Sequence, residues 1–167
     1  MTENNTVIDA MFNVGAHFGY SRARRHASVR SHLFGAKNGV DIINLEETAK
    51  MLKAAEERIQ EVGKLGKPVV FVGTKMEVRP LVEAIATSLN QPYVTERWVG
   101  GMLTNWPEIK KRTMRLKELT DKFAKGELEK YTKKERLLFE REMAKLNTEF
   151  GGISSLEGTP GLLVIVD

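Results

Sequence analysis

Both tryptophans of the chain fall within nine residues, in Glu96-Arg97-Trp98-Val99-Gly100-Gly101-Met102-Leu103-Thr104-Asn105-Trp106, on either side of a Gly-Gly turn. Indoles beside an arginine can do one of two things. Buried, the rings anchor a core; exposed, a ring stacks on a base or ribose while the guanidinium of Arg97 meets phosphate. Core anchoring is the favoured reading here, and stacking stays open. Downstream, residues 110–145 carry thirteen Lys or Arg against seven Asp or Glu, a local excess of six in a chain of net charge +4, so the remainder carries minus two. Charge gathered in this way is the footprint of a polyanion partner, because each cation that neutralises a phosphate releases condensed counterions. A second cluster, Arg22, Arg24, Arg25 and Arg30 with His26 and His32 beside it, lies in a stretch with no acid between Ser21 and Val40. The blander alternative for the long basic segment is an exposed helix with Lys and Glu in solvent-facing rows.

Other chemistries fail on spacing. Gly73-Thr74-Lys75 follows an apolar run as a phosphate turn would, but the first glycine of a full phosphate loop is missing, and an ordinary strand-to-helix turn accounts for it. His17, His26 and His32 have no cysteine beside them and no i, i+4 pairing, so neither a metal nor a cofactor is expected. Without a Ser-His-Asp ordering or a recognisable carboxylate pair, the chain lacks a candidate nucleophile and reads as non-enzymatic, with no small-molecule substrate. No apolar run approaches the roughly 20 residues that span a bilayer, so no membrane partner is expected. The first residues lack the basic start and apolar core of a secretory signal and the chain has no cysteine, which leads us to expect a cytoplasmic protein.

The elements that must position these residues are legible from periodicity. Thr6-Val7-Ile8-Asp9 with Met11 and Phe12 predicts a short capped helix stopped by Gly15, and residues 19–32 predict an exposed basic loop. Residues 40–43 form a strand candidate, and Asn44 with Glu47 predicts the cap of a helix burying Leu45, Leu52, Ala55, Ile59 and Val62, ended by Gly63 and Gly66. Residues 68–72 are an apolar, β-branched run of the kind buried on both faces of a parallel sheet. Pro80 opens a helix burying Leu81, Val82, Ile85 and Leu89, and residues 93–95 form a weak strand. Strand, helix, strand, helix, strand implies an α/β fold with a parallel sheet and helices on both faces. Beyond Gly101 the pattern becomes long, charged and helical. Ile109, Leu116, Leu119 and Phe123 line one predicted helix; Phe139, Met143, Leu146 and Phe150 line a second. Gly126 lies between them and Thr132 with Glu135 caps the second, predicting an antiparallel helical hairpin. Residues 162–166 read as another buried strand. The expected organisation is an N-terminal helix and basic loop over 1–39, an α/β domain over 40–105 and 151–167, and an inserted hairpin over 106–150.

Six stretches now fall into a familiar order. They are Gly15-Ala16-His17-Phe18-Gly19, Phe34-Gly35-Ala36-Lys37-Asn38-Gly39-Val40-Asp41-Ile42-Ile43-Asn44-Leu45, Phe71-Val72-Gly73-Thr74-Lys75, the tryptophan block from Arg97, Thr132-Lys133-Lys134-Glu135, and Gly151-Gly152-Ile153. Across nearly its whole length the chain closely resembles the bacterial S-two family of small-subunit ribosomal proteins. The resemblance implies a flavodoxin-like parallel α/β domain with a coiled-coil hairpin inserted after its third strand. It also implies binding to small-subunit ribosomal RNA at the solvent side between head and body, without catalysis. Partners implied are neighbouring small-subunit proteins, including the large multi-OB-domain one. Tyr20 and Asp41 stand where the family usually has His, and Arg25-His26-Ala27-Ser28-Val29 replaces a Trp-Asn-Pro-Lys-Met-like stretch, so the loop's detailed contacts do not transfer. The family pattern also runs on past Asp167, which predicts a chain incomplete at its C-terminus. The residues expected at RNA are Arg22, Arg24, Arg25 and Lys37 in the N-terminal region, Arg97, Asn105 and Trp106 at the hairpin base, and Lys110, Lys111, Arg112, Arg115, Lys133, Lys134 and Arg136 along the arms. Two rivals stay in view: a nucleotide-binding enzyme using residues 73–75, and an interaction module whose hairpin takes an acidic protein.

Overall fold

The computed structural model describes residues 2–166. It divides into two compact units, Met1–Glu61 and Val62–Asp167.

In the first unit, helix α1 (Thr2–Asn13) begins ahead of Thr6, the residue expected to cap it, and gives out before Gly15, whose φ of +78° suits a residue without Cβ. Strands β1 (Phe18–Ser21), β2 (Leu33–Lys37) and β3 (Val40–Ile43) form an antiparallel sheet in the order β1-β3-β2. This corrects two expectations. Residues 19–32 are not one loop, because they open in β1 and then wind into 3-10 turns at Arg22–Arg24 and Ala27–His32. Nor does β3 belong to the parallel sheet: Lys37 faces Val40 on one side and Phe18 faces Ile42 on the other. The cause is Asn38-Gly39, with φ of +52° and +77°. Two such residues make the tight turn whose twist matches a β-hairpin, so the strands they join must be antiparallel.

Helix α2 (Leu45–Lys64) starts as predicted, with Asn44 Oδ1 accepting from the Glu46 and Glu47 N–H groups at 3.0 and 3.3 Å. Its buried face forms only in part. Leu45 and Val62, at its two ends, are buried as predicted, but residues 51–61 are all exposed, Leu52 at 44% and Ile59 at 37%. The apolar stripe records which side of the helix favours cover, and among the described residues its middle is left uncovered.

In the second unit, β4 (Val69–Val72), β5 (Tyr93–Val94) and β6 (Leu162–Ile165) make a parallel sheet in the order β5-β4-β6. Phe71 lies opposite Tyr93, and Val69 to Val72 lie opposite Leu162 to Ile165 in unbroken register. The central strand buries Val69, Val70 and Val72, as its uninterrupted apolar run predicts. Helix α3 (Arg79–Ser88) buries Val82 and Ala86, whereas Leu81, Ile85 and Leu89, expected inside, are exposed. A Cβ on Gly73 would stand 2.7 Å from Val82 Cγ2, so this glycine lets α3 close on the strand end. That is the packing role of an ordinary strand-to-helix turn.

Helices α4 (Trp106–Ala124) and α5 (Lys133–Phe150) pack side by side, joined through Gly126 in the left-handed region at φ +70°. Thr132 and Glu135 form the predicted reciprocal cap of α5. Ile109, Leu116, Leu119, Leu146 and Phe150 share one core cluster with Val70, Val72, Val94, Met102, Ile153 and Leu156, and Phe139 and Met143 pack against it half-buried. Phe123, placed in the buried stripe by its spacing, is 51% exposed near the end of α4.

Candidate nucleic-acid interface

The N-terminal cations divide by partner. Arg22 and Arg24 stand exposed on their 3-10 turn, and Lys37 is exposed at the end of β2. Arg25 is half-buried and engaged: its Nη1 donates to Asp41 Oδ1 at 3.2 Å, with the Asp41 side chain only 3% exposed. Burying that carboxylate is tolerable because the guanidinium neutralises it, so Arg25 has a structural task before any other. His26 holds the second turn, its Nδ1 accepting from the Ser28 N–H at 3.3 Å. His17 stacks on Phe12 at 4.4 Å between centroids, and the Nδ1 atoms of His17 and His32 are buried with no hydrogen-bond partner among the described residues. Among the described residues no three His, Asp or Glu side chains converge as a metal site would require.

At the base of α4 the tryptophans behave as anchors. Trp98 and Trp106 are half-buried against the core cluster, and Trp106 Nε1 donates to the Glu157 carbonyl oxygen at 3.2 Å. An indole whose one donor is taken by its own backbone is a bracket between α4 and the chain leading to β6. Arg97 and Asn105 are exposed, and Asn105 stands at the N-cap of α4 without a side-chain capping bond.

Along α4 the cations again sort into engaged and open. Lys111 donates to Glu108 at 2.6 Å. Arg115 reaches across to α5 with a fork, Nε to Glu142 Oε1 at 3.0 Å and Nη2 to Glu142 Oε2 at 3.2 Å, while its Nη1 meets Glu118 at 3.2 Å. Lys122 pairs with Glu118 as well. These contacts show in the ionisation: hydrogen bonds from Lys122 and then Arg115 hold the Glu118 carboxyl below its ordinary value, Lys111 does the same to Glu108, and the Glu142 bond raises the Arg115 guanidinium further. One side of α4 therefore neutralises itself. Among the described residues, Lys110 and Arg112 are exposed with no carboxylate in ion-pair distance, Arg112 acting on Glu108 only at longer range, and Lys133, Lys134 and Arg136 on the first turns of α5 are likewise unpaired. Lys117, absent from the sequence-based set, shares this state. Its signal was present: seven residues from Lys110, it returns to the same face of the helix.

Among the described residues no helix is long and apolar enough to cross a membrane. What fold and surface define is an α/β protein carrying a pair of cation-bearing helices whose charge is only partly neutralised internally. Residues 11–167 match the family described as Ribosomal protein S2, and the chain belongs to that family. Among curated relatives it is similar to the small ribosomal subunit protein uS2 of Desulfovibrio desulfuricans, 41% identical over 157 residues, which cover 94% of this chain and 61% of that one. The namesakes from a Roseiflexus species, 42% identical over 95% of this chain and 60% of that one, and from Vibrio cholerae, 41% identical over 94% and 65%, are similar to it in the same way. The chain thus spans about three-fifths of the length of the relatives it matches.

Proposed function

We propose that this chain serves as a structural constituent of the small ribosomal subunit, held on ribosomal RNA by its exposed cations, and that it catalyses nothing. The observation that carries this reading is the segregation of charge: family membership names the assembly, and the uncompensated Lys and Arg of the helix pair and N-terminal turn supply the means of attachment. In this reading α4 and α5 are the inserted antiparallel coiled-coil arm of a flavodoxin-like domain, and the sheet unit is the mount that sets their direction. Arg22, Arg24 and Lys37 near the N-terminus, Arg97 and Asn105 at the base of the arm, and Lys110, Arg112, Lys133, Lys134 and Arg136 along it meet phosphates. Arg25, Lys111, Arg115 and Trp106 contribute chiefly by fixing the surfaces that carry the others. Neighbouring small-subunit proteins, among them the multi-OB-domain one, complete the contacts, and the site of action is the cytoplasmic ribosome. Recognition is by backbone and shape, since Lys and Arg on phosphate read no base.

The chain should co-sediment with small-subunit particles at low salt and be released by ribonuclease. Release should also follow salt, with log affinity falling linearly in log salt concentration. Persistence on ribonuclease-treated particles would instead favour an acidic protein partner. Saturable micromolar binding of a nucleoside triphosphate dependent on Lys75 would revive the enzyme reading.

A further inference from the structure

Beside the exposed side of α4 runs an open groove of about 510 Å³, large enough for a nucleotide unit. Lys110, Met114 and Lys117 form one wall, and Ser154, Ser155 and Glu157 stand in the other. Seven residues of helix place the two lysines roughly 10 Å apart along one face, so they can hold separate phosphates of a single strand. Neither has a carboxylate in ion-pair distance among the described residues, in contrast to Lys111, Arg115 and Lys122 on the other side of α4. The second wall is stiff. Ile153 and Leu156 are buried to either side of the serines, and the Trp106 indole is tied to the Glu157 carbonyl oxygen.

We infer that this groove is the ribose–phosphate seat of the arm, with Lys110 and Lys117 neutralising successive phosphates and the Ser154 and Ser155 hydroxyls donating to their oxygens. The inference rests on the RNA-binding reading above and assigns the share of α4 in it to one face of that helix. An ordinary solvated helix face would be convex and would mix both signs of charge. Here the lysines overlook a concavity whose other wall presents hydroxyl donors. Glu157 is the one carboxylate in the lining, and Asp121 lies one turn beyond Lys117. A carboxylate beside a phosphate track opposes binding, which gives the proposal a variant that should gain affinity.

The test is binding of the full chain to a small-subunit ribosomal RNA fragment, measured over a series of salt concentrations. Lys110→Gln with Lys117→Gln should flatten the log–log salt slope by about 1.4 to 1.8 units, two phosphates' worth. Arg141→Gln with Lys145→Gln removes the same charge from exposed α5 positions outside the groove and should change the slope by less than half as much. Glu157→Gln should tighten binding at low salt, the gain fading above about 0.15 M as charges are screened. Equal losses in the two double variants would overturn the groove, leaving diffuse charge as the explanation. Unchanged binding in the groove variant alongside normal wild-type binding would overturn it while sparing the general reading. Failure of the wild-type chain to bind RNA at any salt would remove both.

Discussion

At the scale of single residues, the same side chain type serves opposite ends according to what stands beside it. Arg25 sits among exposed cations in sequence, yet its guanidinium is committed to a buried carboxylate. Arg25→Gln should therefore cost about 2 kcal/mol of stability, because Asp41 would stay buried with its charge unanswered. Asp41→Asn added to that variant should recover much of the loss in urea unfolding; no recovery would mean that the arginine stabilises by packing alone. Spacing marked Arg25 as basic and could not mark it as engaged, since its partner lies sixteen residues away on β3. The carboxylates of the helix pair make a second prediction. Glu108, Glu118 and Glu135 all have folded-state pKa values below the ordinary one, the first two through lysine and arginine and the last through the Thr132 N–H and hydroxyl. A lowered carboxylate stabilises the fold fully above its unfolded value, about 4.3, and loses that contribution as pH falls through the lower folded value. Helical circular dichroism should hold steady from pH 7 to about 5 and decline below about 4. Glu118→Gln should soften the decline, and an unchanged profile in that variant would count against the assignment.

At the scale of elements, apolar periodicity located the helices more reliably than it located their surroundings. The stripe on α4 and α5 was legible from spacing because a hairpin carries its own partner: the two helices pack together, and Leu116 and Leu146 are buried in the one cluster. The stripe on α2 was equally regular, but it is covered only at Leu45 and Val62, and Leu52 and Ile59 remain exposed. Local pattern reports a preference for burial, whereas burial itself depends on what the rest of the chain brings. Asn38-Gly39 shows the reverse case, a purely local signal that fixes an antiparallel pairing and outranks the alternation of strands and helices from which a parallel β3 had been expected. Substitution should separate these classes. Leu116→Ala and Leu146→Ala should each cost about 2 to 5 kcal/mol in denaturant unfolding, as large-to-small changes in a filled core do. Leu52→Gln and Ile59→Gln should stay within about 0.5 kcal/mol of the parent, as exposed substitutions do. A large loss from either α2 variant would show that its stripe is covered in solution.

For the whole molecule the decisive quantity is where charge stands. A net charge of +4 is modest, and RNA affinity governed by it alone would respond equally to any change of the same sign. Counterion release instead counts the phosphates neutralised at the contact, so the salt slope should be blind to charge elsewhere. Composition made the excess on residues 110–145 legible, but not its internal sorting, because ion pairs such as Arg115 with Glu142 join residues 27 apart in sequence on different helices. Glu56→Gln with Glu57→Gln, on exposed positions of α2, raises the net charge by two and should leave the slope within about 0.3 of the parent. Lys133→Gln, Lys134→Gln and Arg136→Gln together lower it by three and should flatten the slope by about two or more units while weakening binding alike for unrelated RNA sequences. If both sets instead moved affinity in proportion to net charge, attraction would be a property of the whole surface, and the arm would have no privileged part in it.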